Sequence, residues 1–278
     1  DVKSPHFWMT ISAYPGDVRD AAAIENMLIA GYKSSQKSGN DMILVADSKK
    51  TRKAERKGYV LDLIREAVTK QKIEVYINPI MNINNSEPVG GELVSRLYDP
   101  NRGYISTSEF LANASEAHLL VDIEKALLYN IGEMWKSYGF DLFRQNGVER
   151  LAVNVSTDSI LDSGFRETVK QIITRYKFPK SFLQLEISEK TVAEKENETR
   201  KFMKDLQGNN ILFCLDNYTD RVLDFQIAAS LPFNCVKFER DLVRGIESDS
   251  SAFLSFDHLR AKIREMNNNI ISEGIETE

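Results

Sequence analysis

Two cysteines and three histidines are all that this chain has of the commonest soft metal ligands. Cys214 and Cys235 both lie inside apolar runs, so buried free thiols are expected, as in a reducing compartment, rather than a disulfide framework. His6, His118 and His258 share no ligand spacing, so no zinc site is expected. No run of about 18 apolar residues occurs, which excludes an obvious membrane-spanning helix. The first residues lack the charged, apolar and small-residue succession of a signal peptide. A soluble, cytoplasmic chain is the expectation. Positive charge is not in excess either: 36 Lys and Arg against 41 Asp and Glu leave a net charge of −5. That balance argues against a nucleic-acid polymer as partner. It leaves a small nucleotide open, because local cations decide that binding. Tandem repeats and low-complexity tracts are also absent.

What the chain does have is a rhythm. Six short apolar runs end in Glu92, Asn154, Glu186, Asp216, Lys237 and Glu273, with helix-patterned segments between them. Parallel strands alternating with amphipathic helices close into a β/α barrel, whose functional residues come from the C-terminal ends of several strands. Hard oxygen donors gathered in one mouth suit Mg²⁺, Mn²⁺ or Ca²⁺, and a lysine beside them suits a phosphate. Strands are expected at 73–80, 151–155, 182–187, 211–215, 236–238 and 270–271. Phe165, Val169, Ile172, Ile173 and Tyr176 recur at helical spacing, as do Ile123, Leu127, Ile131, Met134 and Tyr138. Both stripes are predicted core.

The first part differs from the rest. Strands at 6–13 and 42–46 flank a helix-patterned stretch with Ile24, Leu28 and Tyr32 on one face, with turns at Tyr14 to Asp17 and Gly39-Asn40. Two strands and one helix cannot bury both faces of a sheet. A polar basic stretch, SKKTRKAERKG, runs from Ser48 to Gly58, read as a solvated linker or helix face rather than a nucleic-acid patch. The domains expected are residues 1–47, a linker helix over 48–72, and a barrel over 73–278.

The strand-end motifs GGELVSRL (Gly90 to Leu97), AVNVS (Ala152 to Ser156), LQLEISE (Leu183 to Glu189), CLDNYTD (Cys214 to Asp220), LPFNCVKFE (Leu231 to Glu239) and SEGIETE (Ser272 to Glu278) resemble, in order and spacing, those of the EAL domain family. That resemblance implies a TIM-like β/α barrel, here without its last strand as given, and Mg²⁺- or Mn²⁺-dependent opening of cyclic diguanylate to the linear dinucleotide. The stretches MTISAYPGD (Met9 to Asp17) and IAGYKSSQKSGND (Ile29 to Asp41) resemble the C-terminal end of a GGDEF (diguanylate cyclase) domain. The glycine-rich signature of that family does not occur here, so no cyclase activity is expected.

Carried over residue by residue, the resemblance makes Glu92, Asn154, Glu186 and Asp216 ligands of a first metal, with Asn217 at a second. By the same resemblance Lys237 matches the family's lysine beside the attacking water, Glu273 its acidic residue on the seventh strand, and Glu189 the glutamate that steadies the loop after strand five. Arg96 matches the family's arginine that reaches a substrate phosphate, Asn78 replaces a glutamine that contacts a guanine, and Glu239 stands where the family has an aspartate. Asn217 also replaces the second of two paired aspartates; its neutral amide weakens the second metal site. Arg221 and Val222 replace small residues in the following loop, which removes backbone freedom. Two readings follow: a slow phosphodiesterase, or an inactive domain serving as a cyclic diguanylate receptor or protein-interaction module. A homodimer, common among relatives, is compatible with both.

Overall fold

The computed structural model describes residues 8–11, 21–38, 42–45, 48–219, 221–244, 246, 250–266 and 268–275. His6, the turns expected at 14–17 and 39–40, and Asp220 lie outside these residues. At the N-terminus β1 (Trp8–Ile11), α1 (Ala21–Ser38) and β2 (Met42–Val45) form a small unit in which the two strands pair in parallel. Its apolar side chains find little cover: Met9, Ile11, Ile24, Leu28 and Tyr32 are all exposed.

The helix α2 (Ser48–Thr69) carries the basic stretch in its first half and an apolar face in its second. Val60, Ile64 and Ala67 on its second half are buried with Ile73, Leu97 and Phe110, each large side chain contributing about 1.5–3 kcal/mol by burial. Two of its basic residues are matched by carboxylates. Arg56 makes a two-pronged pair with Glu109 at 2.7 and 3.0 Å, and Lys57 pairs with Glu116.

Three strands follow, β3 (Glu74–Met81), β4 (Pro88–Asp99) and β5 (Gly103–Ile105), and then α3 (Thr107–Glu116) and α4 (Leu120–Gln145). From there strand and helix alternate: β6 (Leu151–Val155), α5 (Thr157–Leu161), α6 (Ser163–Tyr176), β7 (Leu183–Ser188), α7 (Glu189–Glu194), α8 (Glu196–Leu206), β8 (Leu212–Tyr218), α9 (Phe225–Ser230), β9 (Cys235–Phe238), α10 (Arg240–Arg244), α11 (Ser250–Glu265) and β10 (Asn269–Ser272). The sheet order is β10-β9-β8-β7-β6-β4-β3, with β5 on β4.

This order corrects the expectation that all the barrel's strands run parallel. Pairing is parallel from β4 through β10, but β3 runs antiparallel to β4 and β5 pairs antiparallel to it. The segment NINNSE (82–87) between β3 and β4 is a short polar turn, long enough for a hairpin and too short for the helical crossover that parallel strands need. The sheet curls as a half-barrel, and β3 and β10 are its two edges among the described residues.

Period-two alternation sorts the parallel strands into two faces. Val153, Leu185, Leu215 and Val236 pack outward with Phe165, Val169 and Ile172 of the α6 stripe and with Phe202 and Met203. The intervening residues, Ala152 and Asn154, Gln184 and Glu186, Cys214 and Asp216, Cys235 and Lys237, therefore share the inner face. Both cysteines are buried and free, as expected.

Candidate functional site

The inner face converges on one cation. Lys237 Nζ lies 2.9 Å from Glu92 Oε2, 3.2 Å from Glu186 Oε2, 3.6 Å from Asp216 Oδ1 and 2.6 Å from Glu273 Oε1. Asn154 Nδ2 donates to the other Glu92 oxygen at 2.7 Å. All six residues that end the apolar runs thus meet in one cluster. Glu92 does so from within β4 rather than from its end, because that strand continues seven residues further, to Asp99. Gly91 beside it is fixed by space: a Cβ there would lie 2.3 Å from Ile77 Cγ2.

Burial sets the charges. Glu186 is 1% exposed, Lys237 3% and Asp216 6%. Desolvation pushes the Glu186 carboxyl up to about 7, the neighbouring Asp216 and Glu92 add to the rise, and Lys237 opposes it. Asp216 is raised for the same first reason, with Glu273 and Glu92 as its like-charged neighbours. Burial alone would lower the Lys237 pKa; the facing Glu186, Asp216 and Glu92, with the hydrogen bond to Glu273, outweigh it and hold the ammonium charged well above its usual range.

A β-bulge shapes one side of the cluster. The β8–β9 register shifts between Leu215 and Tyr218, and Asn217 sits there at φ 53, a left-handed conformation that asparagine tolerates better than most residues. In a regular strand neighbours point to opposite faces. Here Asn217 Nδ2 donates to Asp216 Oδ2 at 2.8 Å, so the two lie side by side, and Tyr218 is wholly buried. Bulges of this kind re-aim side chains next to functional sites.

Glu189 holds the loop that follows. It accepts from Thr219 N at 3.0 Å and Thr219 Oγ1 at 2.8 Å through one oxygen, and from Val222 N at 3.3 Å and Leu223 N at 3.1 Å through the other. Asn78 pairs directly with Glu92 across the β3–β4 hairpin, so it shares the inner face. Arg96, four residues after Glu92 on the same face, donates to Ser95 O at 3.1 Å and lies 5.9 Å over the Tyr76 ring. Glu239 is half-buried just past β9, its backbone carbonyl accepting from Leu242 N; no side-chain bond joins it to the cluster among the described residues. His118 and His258 are exposed, and His118 Nδ1 is 3.0 Å from Asp158 Oδ2.

Two residues of the site have no place in the sequence expectations. Gln184, buried two positions before Glu186, donates to it at 3.3 Å; the alternation in LQLEI places both on one face. Glu124 of α4 is 7% exposed and accepts from the Ser156 amide just past Asn154. Only the three-dimensional packing of α4 brings it there.

The donor set is of the hard kind: three buried or half-buried carboxylates and an amide oxygen. Asp216 Oδ1 is buried and accepts no hydrogen bond, which leaves it a lone pair for a cation. Among the described residues no three acidic, cysteine or histidine side chains surround an open metal position, because the oxygens turn to the Lys237 ammonium. The residues fit a divalent cation in type, with the ammonium as their present counter-charge.

Comparison with known proteins bears on the family and the fold. The family model described as "EAL domain" matches residues 62–278. The bifunctional diguanylate cyclase/cyclic di-GMP phosphodiesterase MucR of Pseudomonas aeruginosa is 22% identical over 268 residues, covering 96% of this chain and 39% of its own. Cyclic di-GMP phosphodiesterase PdeL of Escherichia coli is 22% identical over 217 residues, covering 78% and 59%. The chain thus spans less than two thirds of the length of either relative. Among solved structures, PaMucR phosphodiesterase in complex with c-di-GMP superimposes with a TM-score of 0.72 at 22% identity, covering 79% of this chain and 88% of that one. The FimX EAL domain of Pseudomonas aeruginosa bound to c-di-GMP gives 0.68 at 18% identity, covering 78% and 86%. These likenesses establish the fold.

Proposed function

The chain belongs to the EAL domain family, and from that premise we propose that it binds cyclic diguanylate at the mouth of the half-barrel and hydrolyses it slowly to the linear dinucleotide. The observation that carries this reading is the convergence of Glu92, Asn154, Glu186, Asp216 and Glu273 on Lys237. Glu92, Asn154, Glu186 and Asp216 would hold a first Mg²⁺ or Mn²⁺, and Asn217 would face a second. A bound divalent cation supplies charge for a phosphate oxygen and lowers the pKa of a coordinated water.

The chain's own residues do the rest. Lys237, charged throughout the working range, offsets the developing negative charge and orients the attacking water toward phosphorus, with Glu273 fixing its ammonium. Arg96, already above Tyr76 on the inner face, swings to a phosphate oxygen, and Asn78 offers its amide to a base edge. Glu239 lines the same approach, and Glu189 keeps the loop from Thr219 to Leu223 in place.

A second reading, a receptor that binds without cleaving, is favoured by one observation. Asn217 puts a neutral amide where paired carboxylates would draw in a second cation. Residues 1–47 we read as the C-terminal part of a GGDEF-like domain without a cyclase site. The alignment with the bifunctional MucR over 96% of the chain supports that. Incubation with cyclic diguanylate and Mn²⁺, followed by chromatography, tests the function. Slow appearance of the linear dinucleotide is expected, with Ca²⁺ giving binding alone. The absence of both binding by calorimetry and product would overturn both readings.

A further inference from the structure

On α4, outside the cluster, Glu124 is buried among the apolar residues that α4 packs against the sheet. Its two carboxylate oxygens lie 3.0 and 3.2 Å from the backbone amide of Ser156, and the Ser159 and Ser156 hydroxyls also face it. Ser156 is two residues past Asn154, at the point where β6 gives way to α5. The cap of α5 does not require Glu124, since Ser156 Oγ already accepts from Ser159 N at 3.3 Å. Nor is the carboxylate there at no cost: burial, with the like charge of Asp158 adding to it, pushes its pKa up to about 7. An apolar residue would fill that space without the desolvation penalty.

The hydroxyls beyond Ser156 extend the same bracing. Thr157 Oγ1 and Thr191 Oγ1 are 2.9 Å apart, and Ser188 Oγ donates to Thr191 Oγ1 at 2.9 Å. Ser188 closes β7, two residues past Glu186. Glu124 therefore braces the end of β6 from α4, and a separate set of hydroxyl contacts, starting one residue further at Thr157, ties that turn to the end of β7.

We propose that Glu124 is a positioning residue for the cation site: by gripping the Ser156 amide it fixes the end of β6 and, with it, the direction in which Asn154 presents its amide oxygen. The inference rests on the metal-dependent reading above. Outer partners of metal ligands typically change affinity by about 10- to 100-fold when removed, so the effect is measurable without turnover.

The test is Mn²⁺ affinity by electron paramagnetic resonance on the whole chain, with circular dichroism to confirm the fold. Glu124→Ala is expected to weaken Mn²⁺ about tenfold, and Glu124→Gln, which keeps a carbonyl oxygen for the amide, to stay within about twofold of the parent. Asn154→Ala sets the scale. If Asn154→Ala weakens Mn²⁺ and Glu124→Ala does not, this inference fails alone. Equal weakening by Ala and Gln would also overturn it, since charge rather than acceptor geometry would then matter. Should Asn154→Ala leave the affinity unchanged, the cation reading itself fails and takes the inference with it. Where Glu124→Ala does not fold, Glu124→Asp replaces it: a loss of about threefold or more supports the proposal, and an unchanged affinity overturns it.

Discussion

The floor of the site and its rim are built differently. Glu186, Asp216 and Lys237 form a floor that is 1 to 6% exposed, whereas Asn154, Asn217 and Asn78 on the rim are exposed and Glu92 and Glu273 half-buried. In the floor, buried acids face one buried base, so each charge depends on the others for compensation. On the rim, neutral amides predominate and solvent screens what charge there is. Changes in the floor should therefore register first as stability, and changes on the rim as ligand binding or rate.

The largest effect should come from Lys237→Met. Removing one partner of a buried ionic cluster typically costs about 3–5 kcal/mol, and urea unfolding at pH 7 should show a loss of that order. Mn²⁺ should restore more stability to the variant than to the parent, since a cation then replaces the missing charge. A loss below about 1 kcal/mol would show that floor and rim do not differ as argued.

The next effect is one of pH and concerns the buried support beneath the rim. Glu124 is pushed up to about 7 from the usual 4.5, so the folded state holds its proton more tightly than the unfolded chain. The stabilisation from that proton is complete below pH 4.5 and disappears as pH rises through about 7, a change of about 3 kcal/mol. Glu124→Gln should flatten that part of the stability profile between pH 5 and 8. An unchanged slope would mean that other groups, Glu186 first among them, carry it.

Glu92→Ala tests the rim directly. It withdraws the acceptor that both Asn154 and Lys237 use, while Lys237 keeps its contacts with Glu186, Asp216 and Glu273. Hydrolysis of cyclic diguanylate should fall by about 100-fold or more, with a smaller loss of stability than Lys237→Met. Equal damage to stability from the two variants would erase the distinction between floor and rim.

Much of the floor was legible in the chain. The alternation in AVNV, LQLEI and CLD fixes which residues share a face, and the strands expected at 151–155 and 182–187 are displaced by at most one residue in the structure. The rim was less legible because it depends on backbone geometry that composition does not encode. The antiparallel turn-back of β3 is set by the shortness of the link 82–87, and it puts Glu92 inside a strand. The bulge at Asp216-Asn217 brings neighbours to one side that alternation would separate. Glu124 was invisible for another reason: it is 32 residues from the amide it holds.

The smallest effect, and the one that discriminates most between hydrolysis and binding, is Asn217→Asp. The left-handed backbone at φ 53 accepts aspartate nearly as well as asparagine, so the fold should survive. Without a cation the change removes the amide donation to Asp216 at 2.8 Å and sets two carboxylates side by side. Asp216, already raised by burial and its acidic neighbours, should rise further, and the metal-free chain should lose a little stability. With Mn²⁺ present the sign reverses, because the added charge draws in a second cation and lowers the pKa of the water between the two. A rate gain of about tenfold, equivalent to about 1.4 kcal/mol, is expected together with a larger stabilisation by Mn²⁺ than the parent shows. If Mn²⁺ stabilises the variant more but the rate does not move, the second cation binds without being what limits hydrolysis, and the rigid loop bearing Arg221 and Val222 becomes the next position to alter.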